Sequence, residues 1–211
     1  MARIMLAALW LIFFLLSIPV GLTALGAGTG LLSLPYELFV VKQRIPWLFA
    51  CHSIASGLAL MLMPALFAGT GHTLHKYLGR ITAGLVLAGG LTALPVAVFS
   101  VASLPARAGF FAQGLVWLTL DCLAWVSIRR GDARRHKSAM FAMAAVASGA
   151  IWLRLSTVAV AALHLPFAPA YAIGAWICWL APLAAAPLIA KPYNPARAAF
   201  GRTGPKQHNM L

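Results

Sequence analysis

Long apolar stretches alternate with short polar or basic ones along most of the chain. A helix of about 20 apolar residues is long enough to cross a bilayer. Stretches of that length predict about six transmembrane spans, numbered one to six in chain order: roughly 4–25, 46–67, 74–101, 110–128, 138–163 and 171–188. Three glycines at 26, 28 and 30 predict a loop after span one that runs to about residue 44. The pattern therefore predicts an all-α polytopic transmembrane bundle.

The composition supports a lipid environment. Hydrophobic residues make up 62% of the chain and charged residues 9%, whereas a soluble domain carries roughly 25% charged residues. The net charge of +13 would also suit a nucleic-acid-binding protein. The basic residues, however, lie in loops between apolar spans, where they orient the protein and contact anionic lipid headgroups. We therefore predict the lipid bilayer as a partner and exclude nucleic acid.

The lysines and arginines are distributed unevenly between the two sides of the predicted bundle. With the N-terminus in the cytoplasm, twelve fall on the cytoplasmic side and three on the opposite side. Loops rich in Lys and Arg stay in the cytoplasm, which predicts a multi-pass protein of the bacterial inner membrane with both termini inside. Residues 1–190 form a single transmembrane helical domain in this interpretation. Residues 191–211 are basic and rich in Pro and Gly, which predicts a disordered cytoplasmic tail.

A short repeat links two of the predicted hairpins. Spans two–three and spans four–five each run inward and back, and each returning span begins with the same dipeptide, His75-Lys76 and His136-Lys137, 61 positions apart. Two such hairpins can pack as a four-helix bundle with a pseudo-twofold axis along the membrane normal. We therefore expect these four spans to form the core and His75 and His136 to face each other near the cytoplasmic boundary.

Several ionisable residues fall within the spans, where such groups are costly and usually face the bundle interior. They are His52, His75, Arg80, Asp121, His136, Arg154 and His164. His136 and Arg154 are 18 positions apart, which is five helical turns, so both lie on one face of span five. Asp121 is the one carboxylate within a span. Its depth suits an ion pair with Arg80, and a protonated carboxyl group is the alternative.

Two histidines at matched depth on neighbouring helices provide the ligands of a six-coordinate haem iron. We therefore predict that His75 and His136 bind haem b, and that His52 and Arg154 form an outer site. Arg154 would suit a carboxylate there, from a haem propionate or an anionic substrate. His164 lies at the very end of its span. The alternative for His75 and His136 is that each is an interfacial residue beside a lysine at the start of a helix.

Four short motifs lie in the middle of the chain. The first is a histidine at the head of a span, His52. The second is His75-Lys76-x-x-Gly79-Arg80. The third runs from Gly131-Asp132 through His136-Lys137 to Met140, and the last is Leu153-Arg154. Over roughly residues 46–160 this pattern resembles a bacterial family of multi-pass membrane proteins of unknown function. The arrangement is also similar to that of transmembrane cytochrome b and ferric-reductase proteins, and this similarity implies haem held between histidines on a four-helix core.

Three hypotheses for function follow. The first is a haem-binding electron-transfer protein, with a membrane redox partner or a larger complex around it. The second is a non-catalytic assembly or partner subunit whose polar residues lock the helices together. The third is a proton-coupled permease, in which Asp121, the histidines and Arg154 line a polar path. The sequence contains no complete catalytic motif, so it leaves open whether the protein is an enzyme.

Overall fold

The computed structural model describes residues 2–67 and 72–189, and all regular structure in that part of the chain is helical. Six of its seven helices are long and apolar enough to cross a membrane, which confirms the all-α polytopic fold. The predicted tail, 191–211, lies outside the described residues. The helices are α1 (Ala2–Thr29), α2 (Tyr36–Arg44), α3 (Pro46–Phe67), α4 (His72–Phe99), α5 (Leu104–Arg129), α6 (Ala133–Ala162) and α7 (Phe167–Ile189).

The four middle long helices form the core of the bundle. α3 packs on α4, α4 on α5 and α5 on α6, whereas α3 and α6 touch each other much less. α1 lies against α3, and α7 lies against α6 and α5. α4 and α6 begin at the end of the bundle that carries the Arg129–Lys137 loop, called the basic end below. α3 and α5 begin at the opposite end, called the far end.

The prediction of a loop from Gly26 onward is wrong. α1 continues to Thr29 and ends only at Gly30, whose positive φ of 83° suits a residue without a side chain. The Leu32 amide then bonds back to the Gly26 carbonyl at 3.1 Å. Gly28 lies inside the helix because α1 approaches α3 closely there: a Cβ on it would lie 3.1 Å from the Ala50 carbonyl oxygen.

A short helix, α2, occupies the rest of the predicted loop. Its Val41 is 2% exposed, while Tyr36 and Phe39 are exposed on the other side. Glu37 lies in its first turn and Arg44 in its last, which places each charge at the helix end that its sign favours. α2 packs on α3 and, to a lesser extent, on α4. It therefore lies at the far end of the bundle.

Two arginines cap the C-terminal end of α4. Arg44 Nη1 donates to the Phe99 carbonyl at 3.4 Å. Arg107 Nε donates to the Ala97 carbonyl at 3.4 Å, and Arg107 Nη2 donates to the Val98 carbonyl. The last carbonyls of a helix have no partner within the helix and carry partial negative charge. Cations from α2 and α5 therefore stabilise the end of α4.

We expect Arg107→Gln to lower the free energy of unfolding by about 1–2 kcal/mol, because hydrogen bonds from a charged donor to helix carbonyls are lost. Arg134 is exposed in the first turn of α6, so Arg134→Gln is the matched control and should change stability by less than about 0.5 kcal/mol. Reversible unfolding in mixed micelles measures both. Equal losses in the two variants would contradict the capping role of Arg107.

Candidate functional site

His75 and His136 line one cavity at the basic end of the bundle. The cavity has a volume of about 430 Å³ and opens between the end of α3 and the beginnings of α4 and α6. Its other lining residues are Leu66, Phe67, Lys137, Met140 and Phe141. The rings of Phe67 and Phe141 are 4.8 Å apart and bridge α3 and α6. The structure thus brings together the two histidines that the repeated dipeptide pairs in sequence.

A backbone carbonyl orients the ring of His136. Its Nδ1 lies 2.9 Å from the carbonyl oxygen of Ala124 on α5. A carbonyl oxygen only accepts, so Nδ1 carries the hydrogen and donates it. This leaves Nε2 with its lone pair, the form of histidine that binds a metal ion. Histidine ligands of metals commonly donate their other N–H to a carbonyl in this way.

The face of α4 that carries His75 also carries Gly79 and Thr82. Gly79 is one turn further on and shares the face of His75, and no atom lies within 4 Å of the position that its Cβ would take. Thr82 follows one turn later on that face, 1% exposed. Its hydroxyl group has no hydrogen-bond partner among the described residues. Buried polar groups without partners are rare, which makes this hydroxyl group an unusual feature of the α4 face that carries His75.

His52 occupies a similar position toward the far end. Its Nδ1 lies 2.9 Å from the Gly89 carbonyl on α4 and 3.3 Å from Ser56 Oγ on its own helix. By the same argument Nδ1 donates to the carbonyl and Nε2 remains available. The contact requires close packing, because a Cβ on Gly89 would lie 2.6 Å from Ser56 Oγ. The ring of Trp117 on α5 closes the same layer, 3.4 Å from that Cβ position.

Arg154 lies on the interior face of α6 that carries His136 and Met143, yet its side chain is exposed. Its Nη1 donates to the Ala150 carbonyl at 2.9 Å. The guanidinium group lies close enough to His52 and to Tyr171 to act electrostatically on the ionisation of each. Within residues 2–67 and 72–189 no carboxylate forms an ion pair with it. In that part of the chain the guanidinium group of Arg154 is therefore exposed and has no carboxylate partner.

Two further residues, Tyr171 and Glu37, join this outer group, and no sequence pattern predicts either. Tyr171, in the first turns of α7, is held between the rings of Phe110 and Phe167, with centroids 5.6 Å and 5.3 Å away. Glu37 of α2 is close enough to interact with Tyr171. In the sequence Tyr171 is only an aromatic residue at the start of a span, and Glu37 lies in a segment that the sequence predicts to be a loop. Only the packing of α2 and α7 brings them here.

The structure does not bring Arg80 and Asp121 together as an ion pair. Asp121 is 7% exposed on the interior face of α5, whereas Arg80 is exposed on α4. Arg80 is two positions before Thr82, about 200° around the helix, so it points away from the core. Among the described residues, neither side chain has an ion pair. The predicted ion pair between Arg80 and Asp121 is therefore wrong.

His164 lies outside the bundle interior. It is exposed in the turn after α6 with a φ of 52°, and the Leu165 amide closes the turn on the Val160 carbonyl at 3.0 Å. A larger cavity of about 720 Å³ runs along α6 and α7, but its lining is apolar and holds none of the predicted ligands. In the described part of the chain no three His, Cys, Asp or Glu residues are grouped to hold a metal ion.

Residues 47–190 match the family described as "Predicted membrane protein (DUF2306)". This is more than half of the chain, and it includes α3 to α7 with all seven of the site residues predicted from the sequence. No curated protein and no solved structure matches the chain. α1 and α2 lie before the matched region, so Glu37 is the one residue of the outer group that falls outside it.

We expect Gly89→Ala to lower the free energy of unfolding by about 1–3 kcal/mol, because the new methyl group would push α3 away from α4. The matched control is Gly84→Ala on the same helix, where no atom lies within 4 Å of the Cβ position. That variant should be neutral or slightly stabilising, since Ala favours helix over Gly. Combining Gly89→Ala with Ser56→Ala should recover part of the loss. Similar stabilities for the two single variants would exclude a tight contact at Gly89.

Proposed function

The chain belongs to the DUF2306 family of predicted membrane proteins, and from that premise we propose that it is an inner-membrane electron-transfer protein that binds b-type haem. The observation that carries this proposal is the shared cavity of His75 and His136. Paired imidazoles within a helical bundle are the donor set that a six-coordinate haem iron takes. Bound there, the group would supply a one-electron redox couple within the bilayer.

The residues around the cavity fit this group. Its volume of about 430 Å³ lies within the range of cofactor pockets, roughly 300–1,000 Å³. His136 keeps Nε2 free because Nδ1 bonds to Ala124. On the same face of α4 as His75, no neighbouring atom lies near the Cβ position of Gly79, and the buried Thr82 hydroxyl group has no partner among the described residues.

The surroundings of the two imidazoles divide into an apolar wall and a charged rim. Leu66, Met140 and Phe141 form the apolar part of the cavity wall. Lys137 brings the positive charge that a propionate needs, with Nζ held 5.9 Å from the centre of the Phe141 ring. Arg154 and His52 lie toward the other end of the bundle and take no part in this cavity.

The basic end of the bundle would face the cytoplasm. The basic end carries the Arg129–Lys137 loop together with Lys76 and Arg80. Positively charged loops remain in the cytoplasm of bacteria, so the histidine cavity would open toward the cytoplasmic side. An electron carrier or a membrane redox partner would then reach it from that side.

We expect protein purified from haem-replete cells to show a Soret band, and both His75→Ala and His136→Ala to change that spectrum, because each removes one of the two imidazoles that would hold the iron. Adding imidazole to either variant should restore it, which separates loss of a ligand from loss of folding. His164→Ala is the matched control, since His164 is exposed in a turn, and its spectrum should be unchanged. Size-exclusion profiles verify that each variant is folded.

A colourless wild-type protein from haem-replete cells would overturn the proposal. So would a His136→Ala variant with the wild-type spectrum, because the cavity then would not provide the ligands. Loss of colour without rescue by imidazole, in a protein that elutes as the wild type does, would also count against axial ligation.

One observation favours a second function, a proton-coupled permease. Asp121 is 7% exposed on the interior face of a membrane-spanning helix and has no ion pair among the described residues. Isolated carboxyl groups in such positions commonly take up and release protons during transport.

We expect, under this second function, that Asp121→Asn abolishes proton movement into reconstituted vesicles while the protein stays folded, because an amide does not titrate. Glu37→Gln removes a carboxylate outside the six candidate spans and is the control. A pH-sensitive dye inside the vesicles measures the flux. Wild-type vesicles with no more proton movement than empty ones would exclude the permease.

A further inference from the structure

We propose that the far end of the bundle contains a second binding site, which takes a compact oxyanion such as a carboxylate and is formed by Arg154 and Tyr171 beside the ring of His52. The site is separate from the cavity of His75 and His136, and it does not depend on whether haem binds there. Its three residues come from α6, α3 and α7, so it exists only in the folded bundle.

Arg154 supplies the charge. A cation within a membrane-spanning helix is costly and is normally paired with an anion or directed at a functional site. In the described part of the chain no carboxylate pairs with Arg154, and one hydrogen bond, to Ala150, is made by its guanidinium group. The remaining donors of the planar fork stay open. Their geometry matches the two oxygens of a carboxylate.

His52 and Arg154 lie at similar depths on helices that face each other. His52 is six residues after the first residue of α3, or about 9 Å along the axis, and Arg154 is eight residues before the last residue of α6, or about 12 Å. α3 and α6 form the least closely packed side of the core. Arg154 is exposed although it lies on the interior face of α6, so its guanidinium group is accessible to a small molecule.

Tyr171 adds a neutral donor. Its ring is stacked on Phe167 and in edge contact with Phe110, so the phenol group is held in one place. Arg154 interacts with it electrostatically. A guanidinium fork and a fixed hydroxyl donor together suit an oxyanion better than a neutral or cationic ligand.

Glu37 gives the site a rim of opposite charge. It lies on α2 and interacts with Tyr171, but it forms no ion pair with Arg154 among the described residues. Its negative charge weakens the binding of any anion nearby. Removing that charge should therefore tighten binding, which is the reverse of the effect expected at Arg154.

The test is thermal unfolding of the detergent-solubilised protein across a range of sodium acetate concentrations, at constant ionic strength. We expect a saturable rise in Tm for the wild type, because a ligand that binds only the folded state stabilises it. Arg154→Gln should abolish the rise, and Arg154→Lys should weaken it at least tenfold in apparent Kd, since a point charge replaces the fork. Glu37→Gln should lower the acetate concentration at half-saturation.

Arg44→Gln is the matched control. Arg44 is a cation at the same end of the bundle, but it caps α4 at Phe99 and does not belong to the site. Its variant should keep the saturable response to acetate, at a lower starting Tm. This separates a specific site from a general effect of salt on positive charge.

The oxyanion could be a free carboxylate or the phosphate of an anionic lipid, and a second arm distinguishes the sources. In nanodiscs of phosphatidylcholine the acetate response should remain. If phosphatidylglycerol at one-third of the lipid raises the Tm of the wild type but not of Arg154→Gln, and removes the acetate response, the lipid phosphate is the ligand. Retention of the acetate response in those nanodiscs identifies a free carboxylate.

The proposal is overturned if the wild type shows no saturable rise in Tm with acetate, or if Arg154→Gln responds to acetate as the wild type does. It is also overturned if Glu37→Gln weakens the response. Should Arg154→Gln fail to fold, Arg154→Lys and Glu37→Gln still decide, because they must move the half-saturation point in opposite directions. None of these readouts uses the colour of the protein, so failure of the haem proposal would leave them unaffected.

Discussion

Water is absent from the hydrocarbon region, so every polar group on a membrane-spanning helix needs a partner within the protein. In this bundle that partner is most often a backbone carbonyl oxygen. Serine and threonine hydroxyl groups donate hydrogen bonds to carbonyls of the preceding turn, as Ser17 does to Phe14 and Thr92 does to Ala88. The side chains that cross between helices use the same acceptor. His52 and His136 each contact the carbonyl of a neighbouring helix, and that contact fixes which ring nitrogen remains free.

The sequence predicts the parts of this structure that depend on hydrophobicity and periodicity. Six spans, a core of four helices and the shared position of His75 and His136 follow from apolar length and from a repeated dipeptide. α2 could not be predicted in this way, because nine residues with three charges give no membrane signal. Tyr171 and Glu37 joined the outer group through packing alone. The predicted ion pair of Arg80 with Asp121 is wrong because the prediction considered depth in the membrane and not the direction of the side chain. Arg80 is two positions before the buried Thr82, so it points away from the core.

The two candidate sites lie toward opposite ends of the same loosely packed side of the core, between α3 and α6. The layer between them is closed. Met63 of α3 is 0% exposed and Met143 of α6 is 1% exposed, and Trp117 packs against them from α5. A molecule entering from either end therefore meets a packed barrier in the middle of the bundle. The two candidate sites would therefore be reached from opposite ends of the bundle.

The carbonyl contacts of the two histidines have one more feature in common: each joins the two helices of a single hairpin. His52 connects α3 to α4, and His136 connects α6 to α5, where Gln113 adds a bond to Val146. Between the hairpins, Arg107 of α5 donates to the last carbonyls of α4 at the far end. In the interior the two hairpins fit by shape, with Gly90 against Leu118 and Gly114 against Leu94. During biosynthesis each hairpin can thus enter the membrane with its two helices already joined by a side-chain hydrogen bond. The union of the two halves then waits for their surfaces to meet in the lipid, which makes that step the one most exposed to membrane thickness and to competing partners.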